Sequence, residues 1–413
     1  MNIMSPALQT IAAKLEVLAD AAKYDASCAS SGGRKRQAGK DGIGSVTGSG
    51  ICHAYTPDGR CISLLKILLT NFCIYDCAYC VSRRSSNVKR ARFTVDEVVE
   101  LTLSLYRRNC IEGLFLSSGI ARSEDDTMAD MVRVAKALRE AHRFRGYIHL
   151  KTIPGSSPEL LREAGLYADR LSMNVELPSE RSLATLAPEK TAGGIRKGMA
   201  TTRALIEEAG EPSISAKKPR FATGQSTQMI VGADAASDLD IMKTSTTLYA
   251  SYALKRVYYS AFSPNGHPSS ALPGKPPPLQ REHRLYQSDW LLRWYGFGID
   301  ELAASMPGGM LDLSMDPKLA WALAHRASFP LDVNTAPREM LLRVPGLGVR
   351  AVDRMIAARR HARLRYADVS RLAGAIKRAS AFIVTDDHSP GAALDAARLA
   401  ERLKPQPQQL ALL

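Results

Sequence analysis

The pattern of apolar and polar positions changes character three times along the 413 residues. The opening MNIMSPALQTIAAKLEVLAD repeats apolar residues at three and four and predicts an amphipathic helix. The next stretch, 28-CASSGGRKRQAGKDGIGSVTGSG-50, is rich in Gly, Ser, Lys and Arg without a hydrophobic period, and predicts a loop. From Ile62 onward short apolar runs alternate with helical segments. Strands are predicted at 63-SLLKILLTN-71, 113-GLFLSSG-119, 146-GYIHLKTI-153, 170-RLSMNVEL-177, 227-TQMIVGA-233 and 256-RVYYSAF-262. Between them, 95-VDEVVELTLSLYRRN-109 and 127-TMADMVRVAKALREAHR-143 carry helical spacing. Strand and helix in regular succession predict an α/β fold, a parallel sheet with right-handed crossovers closed or partly closed as a barrel. The run 264-PNGHPSSALPGKPPP-278, with six prolines, reads as a linker, and the chain beyond it reads as helical to its end. The expected divisions are an N-terminal helix and loop (1–60), a barrel (61–265), a Pro-rich linker with helices (266–324), a helical module (325–385) and a tail (386–413).

Alternation within the strands separates two faces. Ser172, Asn174 and Glu176 oppose Met173, Val175 and Leu177, and Tyr147, His149 and Lys151 oppose Ile148 and Leu150. Helices must cover the apolar face, so the polar face points into the barrel, where such groups are costly unless they serve a ligand or one another. Asn174 and Glu176 are therefore candidates for cofactor contacts, and His149 and Lys151 for substrate contacts and catalysis. Gln225, Thr227 and Gln228 are weaker candidates of the same kind. Exposed edge strands are the bland alternative.

Composition narrows the class. A 45% hydrophobic content over this length supports real cores. No apolar run approaches the roughly 18 residues that span a bilayer, and the first helix lacks the continuous apolar core of a signal peptide, so a cytoplasmic protein without membrane partners is expected. Seven cysteines, an odd number, favour thiols kept reduced as ligands or nucleophiles. A net charge of +14 points to an anionic partner, nucleic acid ahead of a membrane surface.

Three cysteines fall within 73-CIYDCAYC-80. A zinc site would want a fourth ligand, for which Cys61 and His53 are the nearest candidates. Three thiolates in a loop after a parallel strand suit a four-iron cubane better, since three irons are held by protein and the fourth stays open for a small molecule. Cys28, Cys52 and Cys61 read either as core residues or as ligands of a second cluster. The basic run Arg34, Lys35, Arg36 and Lys40 reads as a solvated loop or as a phosphate contact.

The CxxxCxxC motif, standing here as Cys73, Cys77 and Cys80 just after the first barrel strand, resembles the signature of the radical S-adenosylmethionine superfamily. The resemblance implies a radical SAM type (partial) (β/α) barrel, a 4Fe-4S cluster and S-adenosylmethionine as cofactors, and a reducing donor such as flavodoxin or ferredoxin. In that family the cofactor's amino and carboxylate groups chelate the open iron, and an electron from the cluster cleaves the sulfonium to a 5′-deoxyadenosyl radical. By the same resemblance Tyr79 packs near the adenine, and Ser117, Ser118 and Gly119 stand at the strand end that receives the amino group, in place of the more usual paired glycines and acid.

The C-terminal stretch 335-TAPREMLLRVPGLGVRAVDRMIAARR-360 looks like a helix-hairpin-helix module. Gly346 and Gly348 are expected to permit the tight turn and to leave N–H groups for a phosphate, with Arg350 and Arg354 as flanking cations. From Arg338 to Arg378 eleven basic residues face three acidic ones, a local balance of +8. Such modules hold nucleic-acid backbone with little sequence preference; a helical cap on the barrel is the alternative. Together with the KYDASCASSG and GRCISLLKILLTNFCIYDCAYC stretches, this arrangement resembles a bacterial family described as DNA modification or repair radical SAM proteins, and implies DNA as partner. Radical modification of RNA or of a small-molecule precursor stays open, as does a non-enzymatic DNA-binding iron–sulfur protein.

Overall fold

A computed structural model describes residues 6–22, 51–55, 61–211, 220–264, 269–374, 376–394 and 399–403. Cys28, the basic run from Arg34 to Lys40, and the side chains of His53 and Cys61 lie outside the described residues. The chain divides into two compact units, residues 1–236 with 247–277, and residues 237–246 with 278–413.

The first unit is built on one sheet whose strands follow chain order: β1 (Ile51–Tyr55), β2 (Cys61–Leu68), β3 (Gly113–Ser117), β4 (Tyr147–Lys151), β5 (Arg170–Ser172), β6 (Gln225–Val231) and β7 (Arg256–Ala261). Strands β2 to β7 are parallel throughout. Among the described residues no ladder joins β7 back to the first strands, so the sheet is a partial barrel. The helices are α1 (Pro6–Ala22), α2 (Val95–Arg107), α3 (Glu124–Glu140), α4 (Pro158–Tyr167), α5 (Glu180–Leu186), α6 (Ala192–Gly210) and α7 (Asp238–Tyr252), the last shared with the second unit. Leu65, Ile67, Leu114, Leu116, Ile148 and Leu150 on the sheet's outer face join Leu18, Val98, Met128, Met131 and Leu138 of the helices in one core. The strand alternation read from the sequence thus leaves the polar face inward.

Two expectations change. Residues 51–55, expected as part of the flanking loop, form an antiparallel strand on β2, with Cys52 opposite Leu64. That strand covers the backbone edge of the parallel sheet, and Cys52 is buried with Ile62 and Leu64 as a core residue. Second, the strand expected over 170–177 ends at Ser172. The Thr227 hydroxyl takes the Val175 N–H (3.0 Å) and donates to the Met173 carbonyl (2.7 Å), replacing the ladder there. Pairing resumes at Glu176, whose N–H reaches the Gln228 carbonyl and whose own carbonyl accepts from Ile230.

The second unit holds α8 (Leu279–Trp294), α9 (Ile299–Ala303), α10 (Pro317–Ala324), α11 (Arg338–Leu341), α12 (Val349–Ala358) and α13 (Tyr366–Ala373). It is not wholly helical as expected: β8 (Leu331–Asp332) and β9 (Ile383–Val384) form a short parallel pair. No helix among the described residues is long and apolar enough to cross a membrane.

Candidate functional site

The cysteine loop leaves the carboxyl end of β2 and is fastened along its whole length. Arg90 donates to the carbonyls of Ser82 (2.7 Å), Arg83 (2.6 Å) and Ser86 (3.1 Å), and also to that of Asn71. Arg83 donates to the Ala78 carbonyl (2.6 Å), and Asp76 takes the N–H and hydroxyl of Ser85 (3.0 and 2.7 Å). A distant turn holds the other side: the Ala78 N–H reaches the Leu186 carbonyl (2.7 Å), and the Asp76 N–H reaches Glu189 Oε1 (3.0 Å). Tyr75 donates to Glu124 at the start of α3. A loop with this many bonded carbonyls holds its thiols in place without a regular element.

Cys73, Cys77 and Cys80 open onto a cavity of about 640 Å³ at the carboxyl ends of the strands. Tyr79, Ser117, Ser118, Gly119, Lys151, Asn174, Glu176, Lys190 and Gln228 line it with them. This is where parallel sheets place their ligands. Gly119 is needed for its size, because a Cβ there would stand 2.5 Å from the Phe72 carbonyl oxygen; its N–H bonds the Thr70 carbonyl at 2.7 Å. Glu176 adopts φ +64°, a left-handed conformation uncommon outside glycine. Strain of that kind persists where the surroundings fix it, and here it sets Glu176 Oε1 2.6 Å from Lys190 Nζ with both side chains nearly buried. Asn174 bridges Glu176 and Gln228, at 3.3 Å to each.

The charges of this cavity are strongly perturbed. Burial is the largest single influence on Lys190 and opposes its charge, but Glu176, Tyr79 and Cys77 together outweigh it and hold the ammonium well above the ordinary lysine range. Burial pushes the Cys77 thiol up to about 11 and the Cys80 thiol up to about 12. Thiolates at these positions therefore call for a cation at the sulfurs beyond Lys190. Among the described residues no three thiols, imidazoles or carboxylates converge on one point as ligands of a single ion. Three thiols lining one cavity suit a cluster that places a separate iron at each thiolate.

Residues 67–209 match the model of the radical SAM superfamily. The chain carries a radical SAM domain. That enzyme superfamily uses a 4Fe-4S cluster and S-adenosylmethionine. Solved structures similar to this chain include the FeFe-hydrogenase maturase HydG from Carboxydothermus hydrogenoformans, at 14% identity and TM-score 0.41, over 55% of this chain and 49% of that one. Methylornithine synthase (PylB) is similar at 14% identity and TM-score 0.42, over 55% and 60%. Coproporphyrinogen III oxidase (HemN) from Escherichia coli is similar at 15% identity and TM-score 0.34, over 54% and 50%. The chain thus covers about half the length of the maturase and the oxidase. No protein of curated function matches the sequence.

The radical SAM cavity has room in its polar inventory for a ligand. The Tyr79 hydroxyl, on a residue lining the cavity, is buried without a hydrogen-bond partner, and such an orphan calls for an explanation in a folded protein. Lys190 was not singled out from the sequence, and Gln228 only weakly. No periodicity marks 186-LAPEK-190, whose role depends on contacts with residues far away in the chain. His149 is a correction: it does not line the cavity. It sits one inward position below Lys151 on β4, buried, with Nε2 2.9 Å from the Ser172 hydroxyl and its ring 4.2 Å from that of Phe115. Burial, then the nearby Arg170, Lys151 and Lys66, hold its pKa well below the ordinary histidine range, so it stays neutral. Thr227 and Gln225 also turn away from the cavity; the Gln225 amide donates to the Met199 and Tyr252 carbonyls (2.9 and 3.0 Å).

In the second unit, residues 344–348 form a turn between α11 and α12. Gly346 is exposed with φ +87° and needs glycine. Gly348 does not: it caps α12 at φ −92°, and a Cβ there would meet only the Tyr295 hydroxyl at an ordinary 3.7 Å. The amides are partly used within the fold. The Leu347 N–H bonds the Val344 carbonyl (3.2 Å), and the Tyr295 hydroxyl takes the Val349 N–H. Lys318, buried beneath the turn, donates to the Leu347 carbonyl (2.5 Å). Arg350 is exposed. Arg354 is tied back to the Leu372 carbonyl at the end of α13 (2.6 Å), which joins two helices rather than reaching outward.

Proposed function

We propose that the protein is a radical SAM enzyme acting on DNA, in modification or repair. The observation that carries the radical chemistry is the convergence of Cys73, Cys77 and Cys80 with Ser117 to Gly119, Asn174, Glu176 and Lys190 around one cavity. When bound, the cluster supplies an electron that cleaves S-adenosylmethionine to a 5′-deoxyadenosyl radical; the electron comes from an external donor of the flavodoxin or ferredoxin class. The three thiols hold three irons. Ser117, Ser118 and the Gly119 backbone face the cofactor's amino group, Asn174 and Glu176 its ribose or carboxylate, and Tyr79 its adenine. Lys190 holds Glu176 in orientation through their ion pair, and Lys151 faces the substrate side.

The DNA reading is supported by the turn at 344–348 read as a helix-hairpin-helix, and by the +8 balance from Arg338 to Arg378. Arg338 with Asp353, Arg371 with Asp368, Arg343 with Glu301, Arg363 with Asp386 and Arg378 with Asp316 already form ion pairs, so the exposed Arg350 carries the attraction to phosphate. An enzyme that does chemistry on a base takes it out of the stack, so the substrate is an extruded base or an unpaired strand. The test is mass spectrometry of DNA incubated with anaerobically reconstituted protein, dithionite and S-adenosylmethionine. A new base product, formed with 5′-deoxyadenosine, is expected. Formation of 5′-deoxyadenosine with DNA unchanged in sequence-varied and damaged substrates would move the assignment to RNA or a small molecule.

A further inference from the structure

The helix α8 buries one face and leaves an aromatic one in solvent. Leu285, Tyr286, Ser288, Asp289 and Leu291 are buried, while the other side shows His283, Trp290 and Trp294. Trp290 and Trp294 are 43% and 52% exposed. Their positions, four apart, place the rings side by side on one stripe, with centroids 6.1 Å apart and planes at 35°. Arg293 lays its guanidinium over the Trp294 ring at 4.9 Å. Folding does not explain this: a surface helix ordinarily turns polar side chains outward, and clustered exposed aromatics mark interaction sites.

The neighbourhood says what kind of partner fits. Trp294 is the last residue of α8, and Tyr295, the next residue, places its hydroxyl against Gly348 and the Val349 N–H. Arg343, from the end of the preceding helix, donates to the Gly296 carbonyl (3.3 Å). The residues that follow Trp294 in the chain, Tyr295 and Gly296, thus contact the basic turn within the same unit. Stacking rings beside a positive path are the elements with which proteins hold single-stranded nucleic acid, because every base has a π-face and every linkage a phosphate. A protein partner would gain from the rings but not from the +8 segment next to them.

We propose that Trp290 and Trp294 form a stacking platform for the bases of an unpaired strand, with Arg293 bracing the Trp294 ring and the 344–350 turn holding the adjoining backbone. This inference rests on the nucleic-acid reading above and sharpens it: the second unit prefers an open strand over a closed duplex.

All three tryptophans of the chain lie in this unit, and Trp321 is buried, so tryptophan emission reports this unit and quenching by a stacked base acts on the exposed Trp290 and Trp294. The experiment titrates full-length reconstituted protein with a single-stranded oligothymidylate and with a duplex of the same length, following emission and anisotropy. The expected result is quenching by the single strand, little quenching by the duplex, and tighter binding of the single strand. Trp294→Ala should weaken the single strand by about five-fold to a hundred-fold, the range of one lost base stack, and change duplex affinity less than about two-fold. Trp294→Phe should retain part of the binding. Cofactor cleavage without DNA should be unchanged in both variants. Saturating single-strand binding without quenching, or Trp290→Ala and Trp294→Ala variants that bind it as the parent does, overturns the platform while leaving the duplex-binding turn intact. If neither form binds, the nucleic-acid reading falls with it. A concentration-dependent dimer abolished by Trp294→Ala, with no quenching by the strand, would assign the face to self-association instead.

Discussion

The cavity of the first unit and the turn of the second place their charges in opposite settings. Glu176 and Lys190 are nearly out of water, and each depends on the other. The outward pairs around the turn are wet, unlike Arg343 with Glu301 beside it: Arg338 with Asp353 is 47% and 51% exposed, and Arg363 with Asp386 is 64% and 43% exposed. Exposed pairs contribute about 0–1 kcal/mol and weaken with salt, whereas removing one partner of a buried pair strands a charge. The cavity is thus held by interactions that fail all at once, whereas the outward charges of the turn interact in ways that fade gradually.

The largest effect should come from the thiols. Replacing any of Cys73, Cys77 or Cys80 with Ala should abolish the cluster of about four irons, read as iron content and visible absorbance after anaerobic reconstitution. Because Arg90 and the 186–189 turn hold the loop through backbone carbonyls and amides, circular dichroism should show the apoprotein still folded. Retention of full iron by one of the three variants would remove that cysteine from the ligand set.

Next comes the buried pair. Lys190→Met leaves Glu176 buried without its cation and should cost about 3–5 kcal/mol, seen as a large fall in thermal midpoint together with loss of S-adenosylmethionine binding. Adding Glu176→Gln should recover much of the stability but none of the binding. A Lys190→Met protein as stable as its parent would mean that water reaches Glu176 freely.

What could be read from the sequence follows the range of the interaction. The cysteine loop was legible because its ligands lie within eight residues, and Ser117 to Gly119 because a strand end announces itself locally. Alternation correctly put His149 and Lys151 on the inner face of β4, yet it cannot give height along a strand. Lys151 in the cavity and His149 beneath it stand two positions apart. Lys190 was invisible for a different reason: its turn meets the cysteine loop through Glu189 and Asp76, 113 residues apart. The glycines of 344-VPGLG-348 looked equivalent in sequence, and only backbone conformation separates Gly346, at φ +87°, from Gly348.

A smaller effect sets the second unit apart by pH. Burial lowers the Lys318 ammonium to about 7, with Arg343 adding to the fall and Asp316 opposing it. An unfolded lysine titrates near 10.4. Between those values the unfolded chain binds the extra proton, so stability rises with pH, by at most about 1.4 kcal/mol per unit, and the gain is lost as pH falls toward 7. Unfolding followed by tryptophan emission, which reports this unit, should shift to higher denaturant from pH 7 to 9 in the parent. Lys318→Met should flatten that dependence. An equal slope in the variant would assign the titration elsewhere.

The smallest effect tests whether the turn works by the gradual route. If Arg350 contacts a phosphate, binding releases condensed counterions, and log affinity for duplex DNA falls linearly with log salt at about 0.9 per phosphate neutralised. Arg350→Ala should lower that slope by roughly one and weaken all sequences alike. Arg354, already bonded to the Leu372 carbonyl, should change the slope less when replaced. Gly346→Val should weaken binding at every salt concentration, because a β-branched residue resists φ +87°, whereas Gly348→Ala should be mild, since its Cβ meets only ordinary contact. Salt titrations of the four variants check the order. Equal slopes for Arg350→Ala and the parent would leave the cations as solvated surface and the turn as a structural corner, held by Tyr295 and Lys318 for the fold alone.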